Sequence, residues 1–258
     1  MRIGYTRLPP SGACKGRAPR TALRRDFRCL SRALEWSSAR RLLYFRVPPS
    51  LLPAGGDIES WLPWKNELEA LGTFIRARGI RLAVRPGSGT HLSTSDDDQF
   101  RHSASLLLRL ARLLDAMNLD ATHKIQVAGE PEVCEPRPNG SEADLLRFDE
   151  RHRRLAEPVQ RRLAVETPNR RFALRDSLRL WSLTGIPIVH RTSFVSVQTI
   201  DAALARCRRT WAEDDGSPMV DLHPPAAPSV DQLLANPPGA DYMVETGTLP
   251  EGLFKSET

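Results

Sequence analysis

The sequence predicts an α/β fold, a closed (βα)8 barrel of the TIM type, on three observations. Eight short apolar runs recur along the chain: Arg2–Tyr5, Leu42–Val47, Arg81–Arg85, Lys124–Ala128, Leu163–Thr167, Ile186–Arg191, Met219–His223 and Asp241–Thr246. Each is four to six residues long and most are rich in Val, Ile and Leu, the continuous pattern of parallel strands covered on both faces. Helical stretches separate them. The length, 258 residues, is what such a barrel takes as one domain. A single domain is therefore expected over 1–258, with a frayed tail from about 247.

The elements follow in order. After the first run comes a loop rich in Gly, Pro and basic residues, then a helix expected from Thr21 to Ser38 with Leu23, Phe27, Leu30 and Leu34 at helical spacing. The second run leads into Pro48-Pro49-Ser50-Leu51-Leu52-Pro53 and a helix carrying Leu68, Leu71, Phe74 and Ile75. Arg78-Gly79 is a helix stop that feeds the third strand. Ser95-Asp96-Asp97-Asp98 opens the next helix, with a cap and acids where the helix dipole favours them. That helix is expected to reach Asn118. A long Pro-containing loop, Gly129 to Ser141, precedes a helical segment Glu142–Arg162 expected to be interrupted at Pro158. Thr184-Gly185-Ile186-Pro187 is another helix-to-strand turn.

Composition narrows the function classes. No long apolar stretch could span a bilayer, and Met1–Tyr5 reads as a strand rather than a secretory leader. Cys14, Cys29, Cys134 and Cys207 are scattered, without a C-x-x-C pair or disulfide-dense spacing, so a reducing cytoplasm is the expected location. There is no Gly-rich phosphate loop, no zinc spacing and no nucleophile elbow. The net charge is +6, and Lys occurs only at 15, 65, 124 and 255, so the basic residues are overwhelmingly Arg. The planar guanidinium suits phosphate, although an Arg-rich composition also follows from a GC-rich genome. Arg17, Arg20, Arg24, Arg25 and Arg28 cluster after the first strand, on the side where a barrel binds ligands. With Arg46 they are expected to make the rim basic and to favour duplex DNA as a partner.

Barrels place their chemistry at the C-terminal strand ends. Here those ends hold Tyr5, Arg85, Gln126, Glu166, Arg191, Asp221, His223 and Glu245. Tyr5 could stack on a base or cap the core. His91, His190 and His223 form no recognisable ligand spacing, and the five tryptophans read as packing between helices and barrel.

A series of motifs in order resembles the UV damage endonucleases, metal-dependent barrels that nick DNA beside photoproducts. The series contains Arg2-Ile3-Gly4-Tyr5, Leu34-Glu35-Trp36, Phe45-Arg46-Val47 with Ser50-Leu51-Leu52-Pro53, and Gly79-Ile80-Arg81-Leu82. It continues with Pro86-Gly87, Leu113-Leu114-Asp115-Ala116-Met117, Val165-Glu166, Gly185-Ile186-Pro187, Gly216-Ser217-Pro218 and Asp241-Tyr242-Met243-Val244-Glu245. The resemblance implies a cluster of divalent metals held by His and acidic ligands. It also shows where this chain departs. Arg85 stands where His precedes Pro-Gly, and Ser88 and Gly89 stand where Gln and an aromatic residue probe the lesion. Gln126 replaces the His of the fourth strand, Arg191 and Ser193 replace Asp and His after the sixth, and Met219 and Asp221 replace Lys and His of the seventh. Tyr5, Glu166 and Glu245 are kept.

Guanidinium cannot deprotonate and repels a cation, so replacing imidazole with Arg does more than delete a ligand. Two readings follow. In one, Glu166 and Glu245 remain catalytic and, with Asp221, hold a single Mg²⁺ or Mn²⁺ in an oxygen-rich site. In the preferred one no cofactor is needed, because Arg85 and Arg191 compensate the two glutamates, and the chain is a degenerate homologue with weak or no nicking. Tyr5, Arg46, Arg85, Ser88 and Arg191 are the expected substrate contacts in either case. A sugar-isomerase-like barrel with one metal is a third reading, disfavoured by Arg191.

Overall fold

The computed structural model describes residues 2–5, 19–47, 63–87, 89–128, 142–167, 174–192, 205–222 and 240–244. Eight strands form one sheet: β1 (Ile3–Tyr5), β2 (Tyr44–Val47), β3 (Arg81–Val84), β4 (Lys124–Ala128), β5 (Leu163–Glu166), β6 (Ile188–Thr192), β7 (Met219–Leu222) and β8 (Asp241–Val244). Their order is β1-β8-β7-β6-β5-β4-β3-β2, and all seven ladders are parallel. The ring closes where β1 meets β2. A Cβ on Gly4 would sit 1.8 Å from the Tyr44 carbonyl oxygen, so only glycine lets the two backbones approach this closely.

Helices cover the strands: α1 (Pro19–Ala39), α2 (Lys65–Ala77), α3 (Asp97–Ala116), α4 (Glu142–Arg153), α5 (Glu157–Gln160) and α6 (Leu174–Thr184). The Asp96 side chain caps α3, accepting from the amides of Asp98 and Gln99, as its sequence predicts. The break between α4 and α5 falls earlier than expected, at Arg154–Ala156. Pro158 does not interrupt a helix; it lies in the first turn of α5, where a missing N–H costs nothing. Cys29 on α1 is disulfide-bonded and only Cys207 is a free, buried thiol among the described residues. The scattered cysteine spacing gave no sign of that bond.

Two apolar regions result. The larger lies between strands and helices, with Phe45, Val47, Leu82, Val84, Ile125, Val127, Leu163, Val165 and Ile188 turned outward against Leu34, Leu68, Ile75, Leu107 and Leu114. The alternate positions, Tyr44, Ala83, Ala164, Val189, Met219 and Met243, meet inside the barrel.

The barrel interior has a charged belt at its N-terminal end. Arg81, the first residue of β3, donates to Asp241 (2.9 Å) and to the carbonyls of Thr122 (2.9 Å), Asp215 (2.6 Å) and Ser217. Asp241 also receives the Arg2 amide (2.8 Å) and guanidinium (3.1 Å), and the buried Lys124 pairs with Asp215. Trp211 lies 5.3 Å under the Arg81 guanidinium. Gly216 passes beside this group with φ 74, and a Cβ there would press on Arg81 and Thr122 at 3.2 Å.

Candidate functional site

The period of two that puts Arg81, Ala83, Ala164 and Met219 inside the barrel also aims Arg85, Glu166 and Asp221 into its C-terminal mouth. There the structure assembles a second charged group. Arg85, just past β3, donates from Nη2 to Glu166 Oε2 at 2.5 Å. This is the arginine–glutamate contact expected from the sequence. Arg46 Nη1 donates to Asp221 Oδ2 at 2.6 Å and lies 3.8 Å from Glu166 Oε1. Arg46 was expected on a basic rim. It is instead an internal charge with a side chain only 4% exposed, because β2 turns it inward toward β7.

The electrostatics follow from burial. Desolvation and the neighbouring Asp221 hold the Glu166 carboxyl above its ordinary range, while Arg85, Arg46 and Arg191 oppose them. Burial disfavours the charge on Arg46, but Asp221 and Glu166 outweigh it and keep the guanidinium firmly protonated. For Arg191 on β6, burial depresses the pKa, Glu166 and Asp221 act against that, and Arg85 and Arg46 add to it. Among the described residues, three guanidinium groups and two carboxylates therefore act on one another at this mouth.

Beneath this group Gln126 donates to the Tyr44 hydroxyl at 2.7 Å and lies 3.6 Å from Met219 Sδ. Burial above all, with Asp221 adding, raises the Tyr44 phenol well above 10, so it stays protonated. Among the described residues, the interior of the barrel between the two charged belts is thus neutral. His190 is buried, neither ring nitrogen has a hydrogen-bond partner, and burial pushes its pKa down to about 4. His91 is buried beside α3, where its amide donates to Ser103 Oγ.

The remaining expected residues are placed only in part. Tyr5 ends β1, and its side chain lies outside the described residues, as do Ser88, Ser193, His223 and Glu245. In the basic cluster, Arg28 is exposed on α1, whereas Arg17 and the side chains of Arg20, Arg24 and Arg25 lie outside the description. Sequence reasoning missed Tyr44 and the whole N-terminal belt. The signal was present: Arg81, Lys124 and Asp241 each begin a strand with a charge.

Among the described residues, the donor set does not fit the metal cluster that the resemblance implies. Arg46 lies against both carboxylates and Arg85 holds the second oxygen of Glu166, so guanidinium occupies the positions a cation would take. Among the described residues no three His, Cys, Asp or Glu side chains converge as metal ligands. No described helix is long and apolar enough to cross a membrane.

Comparison with known proteins identifies the lineage. The UV DNA damage endonuclease of Clostridium perfringens is 27% identical over 208 residues, covering 73% of this chain and 48% of its own. That of Halalkalibacterium halodurans is 25% identical over 202 residues, covering 74% and 60%. The chain thus spans about half the length of the curated relatives it matches. Among solved structures, SacUVDE superposes with a TM-score of 0.76 at 24% identity, covering 95% of this chain and 93% of that one. A D-psicose 3-epimerase of Clostridium cellulolyticum H10 superposes at 0.63 with 13% identity, covering 98% and 88%, a likeness of fold. The family model for UV-endonuclease UvdE matches residues 15–232, and the chain belongs to that family.

Proposed function

We propose that this chain is a UV-endonuclease-family barrel that binds duplex DNA and has weak or no metal-dependent nicking activity. The observation that carries the reading is the Arg85–Glu166 contact of 2.5 Å, at the position where the resemblance places a metal-binding imidazole. A guanidinium fixed on that carboxylate satisfies it electrostatically and keeps a divalent ion away. The net charge of +6 and the exposed Arg28 support an electrostatic affinity for phosphate backbones. DNA is the partner implied by the relatives' names, and Arg85, Arg191, Tyr5 and Ser88 remain the proposed contacts.

The alternative is an active, divergent endonuclease using one Mn²⁺ or Mg²⁺ held by Glu166, Asp221 and Glu245. One observation favours it: Glu166 Oε1 accepts no hydrogen bond, and Asp221 raises the Glu166 pKa, so two close acids would gain from a cation. That site would first have to displace Arg46.

Elemental analysis of protein purified without chelator, with a plasmid assay on UV-irradiated DNA in Mn²⁺, separates the two readings. The proposal expects no bound metal, nicking near background, and filter retention of duplex that falls steeply with salt. Stoichiometric Mn or Zn, or nicking abolished by Glu166→Gln, would overturn the loss of activity. Absent or salt-insensitive retention would overturn DNA binding.

A further inference from the structure

We infer that His123 is an acid-released latch between β3 and β4, which holds the lower end of that seam closed only while its imidazole is neutral. The two strands share two registered pairs, Ala83 with Lys124 and Val84 with Ile125. Leu82 lies one residue below the first pair, and its amide donates to His123 Nδ1 at 3.0 Å. A side chain thus extends the seam beyond the strand pairing. An imidazole that accepts at Nδ1 carries its proton on Nε2. A second proton would land on Nδ1, turn the acceptor into a donor and leave two N–H groups facing each other.

The surroundings oppose that second proton. His123 is buried, and burial is the largest influence on it. Asp120 in its own turn favours a charge on the ring, whereas Arg81 on β3, Arg162 before β5 and Arg2 before β1 oppose one. Asp120 already accepts from the Thr122 amide (3.0 Å) and hydroxyl (2.5 Å). Arg81 and Arg162 are fixed in place. Arg81 donates to the Thr122 carbonyl at 2.9 Å, and Arg162 to the carbonyls of His123 (3.4 Å) and Leu119 (2.6 Å). Of the other charges around this turn, Asp115 is held by Arg161 and Arg162, Arg76 is spent on the carbonyls of Met117 and Asn118, and Lys124 pairs with Asp215.

Together, burial and the three arginines push the ring down to about 4. An unfolded histidine binds its proton near about 6.5, so the penalty grows as pH falls from there toward about 4. In that window the unfolded chain holds one proton more, which shifts the unfolding equilibrium by up to about tenfold per pH unit. Loss of the Leu82 bond unpairs the foot of β3, where Arg81 enters the charged belt. Acid therefore loosens the floor of the barrel at this seam.

The substitution His123→Asn offers a side-chain oxygen at nearly the position of Nδ1 without a group that titrates. Urea unfolding of intact wild type and variant, at steps from pH 7 to 4.5, reads the difference; His152 and His190 titrate in both and cancel. The wild-type unfolding constant should rise relative to the variant's by about thirtyfold between pH 6.5 and 4.5. Parallel pH profiles would overturn the inference. If His123→Asn does not fold, the wild-type protein decides by NMR and hydrogen exchange. The Leu82 amide should be protected at pH 7 and lose protection toward pH 4.5 while the amides of β7 keep theirs. A Leu82 amide protected equally at both, or a His123 ring titrating near 6.5 in the folded protein, would equally overturn it.

Discussion

Replacing Arg85 with alanine removes the cation that holds Glu166 Oε2 and leaves that buried carboxylate with Arg46 at 3.8 Å and Arg191 in its field. Breaking a fully buried ion pair costs roughly 3–5 kcal/mol. Arg85 is a third exposed and water can partly replace it, so a cost of about 1–2 kcal/mol at neutral pH is expected. In a chain of this size that lowers the melting temperature by about 2–8 °C. The pH dependence is the sharper test. In the folded protein Glu166 already binds its proton more tightly than an ordinary carboxyl, mainly through burial and then through Asp221, and Arg85 is the group that opposes this most. Without Arg85 the folded pKa rises further. Between the unfolded and folded values the folded state holds the extra proton, so stability falls as pH rises through that window. The variant should therefore match wild type most closely at acid pH and lose ground as the pH rises toward neutrality. Urea unfolding of both proteins at a series of pH values measures this directly. A penalty that stays constant with pH, or that grows toward acid, would refute the pairing of Arg85 with an ionised Glu166.

Three further outcomes are expected. Arg85→His combined with Arg191→Asp removes two cations and adds potential ligands, so the double variant should be less stable than wild type without metal. Micromolar Mn²⁺ should restore it by binding the folded state; a marked rise in wild-type melting temperature with Mn²⁺ would contradict guanidinium occupancy of the site. Gly4→Ala forces a Cβ to 1.8 Å from the Tyr44 carbonyl and should prevent closure, read as loss of soluble folded protein; a cooperatively folded variant would disprove the close approach. His190, depressed to about 4 by burial, should stay neutral at physiological pH. An unfolded histidine takes up its proton first, so this group's contribution is lost as pH falls from about 6.5 toward 4. An NMR titration placing His190 near 6.5 would show that the ring is solvated.

The barrel was legible because its strands are continuous apolar runs of one length, and period two then fixes which side chains turn inward at Leu82–Ala83–Val84. The Arg85–Glu166 contact was legible too, since both lie at strand ends that a closed barrel turns toward one cavity. The Arg46–Asp221 pair was not. Its members are 175 positions apart and meet across the barrel, which depends on strand register and tilt rather than on spacing. Asp221 in the sequence reads as a spare cation ligand, and only the inward turn of Arg46 identifies its partner. The α4–α5 break escaped because Pro158 marks a helix start there rather than an end. The N-terminal belt escaped because attention to strand C-termini passes over charges such as Lys124 and Asp241 that begin strands.

The neutral layer between the two belts has an evolutionary consequence. Arg81 and Asp241 lock the lower end, Arg46 and Asp221 the upper, and Tyr44, Ala83, Gln126 and Met219 stand between them. Substitutions at sites that share no partner combine nearly additively. Ligands at the opening can therefore be exchanged, imidazole for guanidinium included, with little effect on the lock at the opposite end. Such insulation lets a lineage exchange residues at the mouth without unfolding. A few exchanges at the upper end could install new chemistry on a scaffold whose lower end is left unchanged.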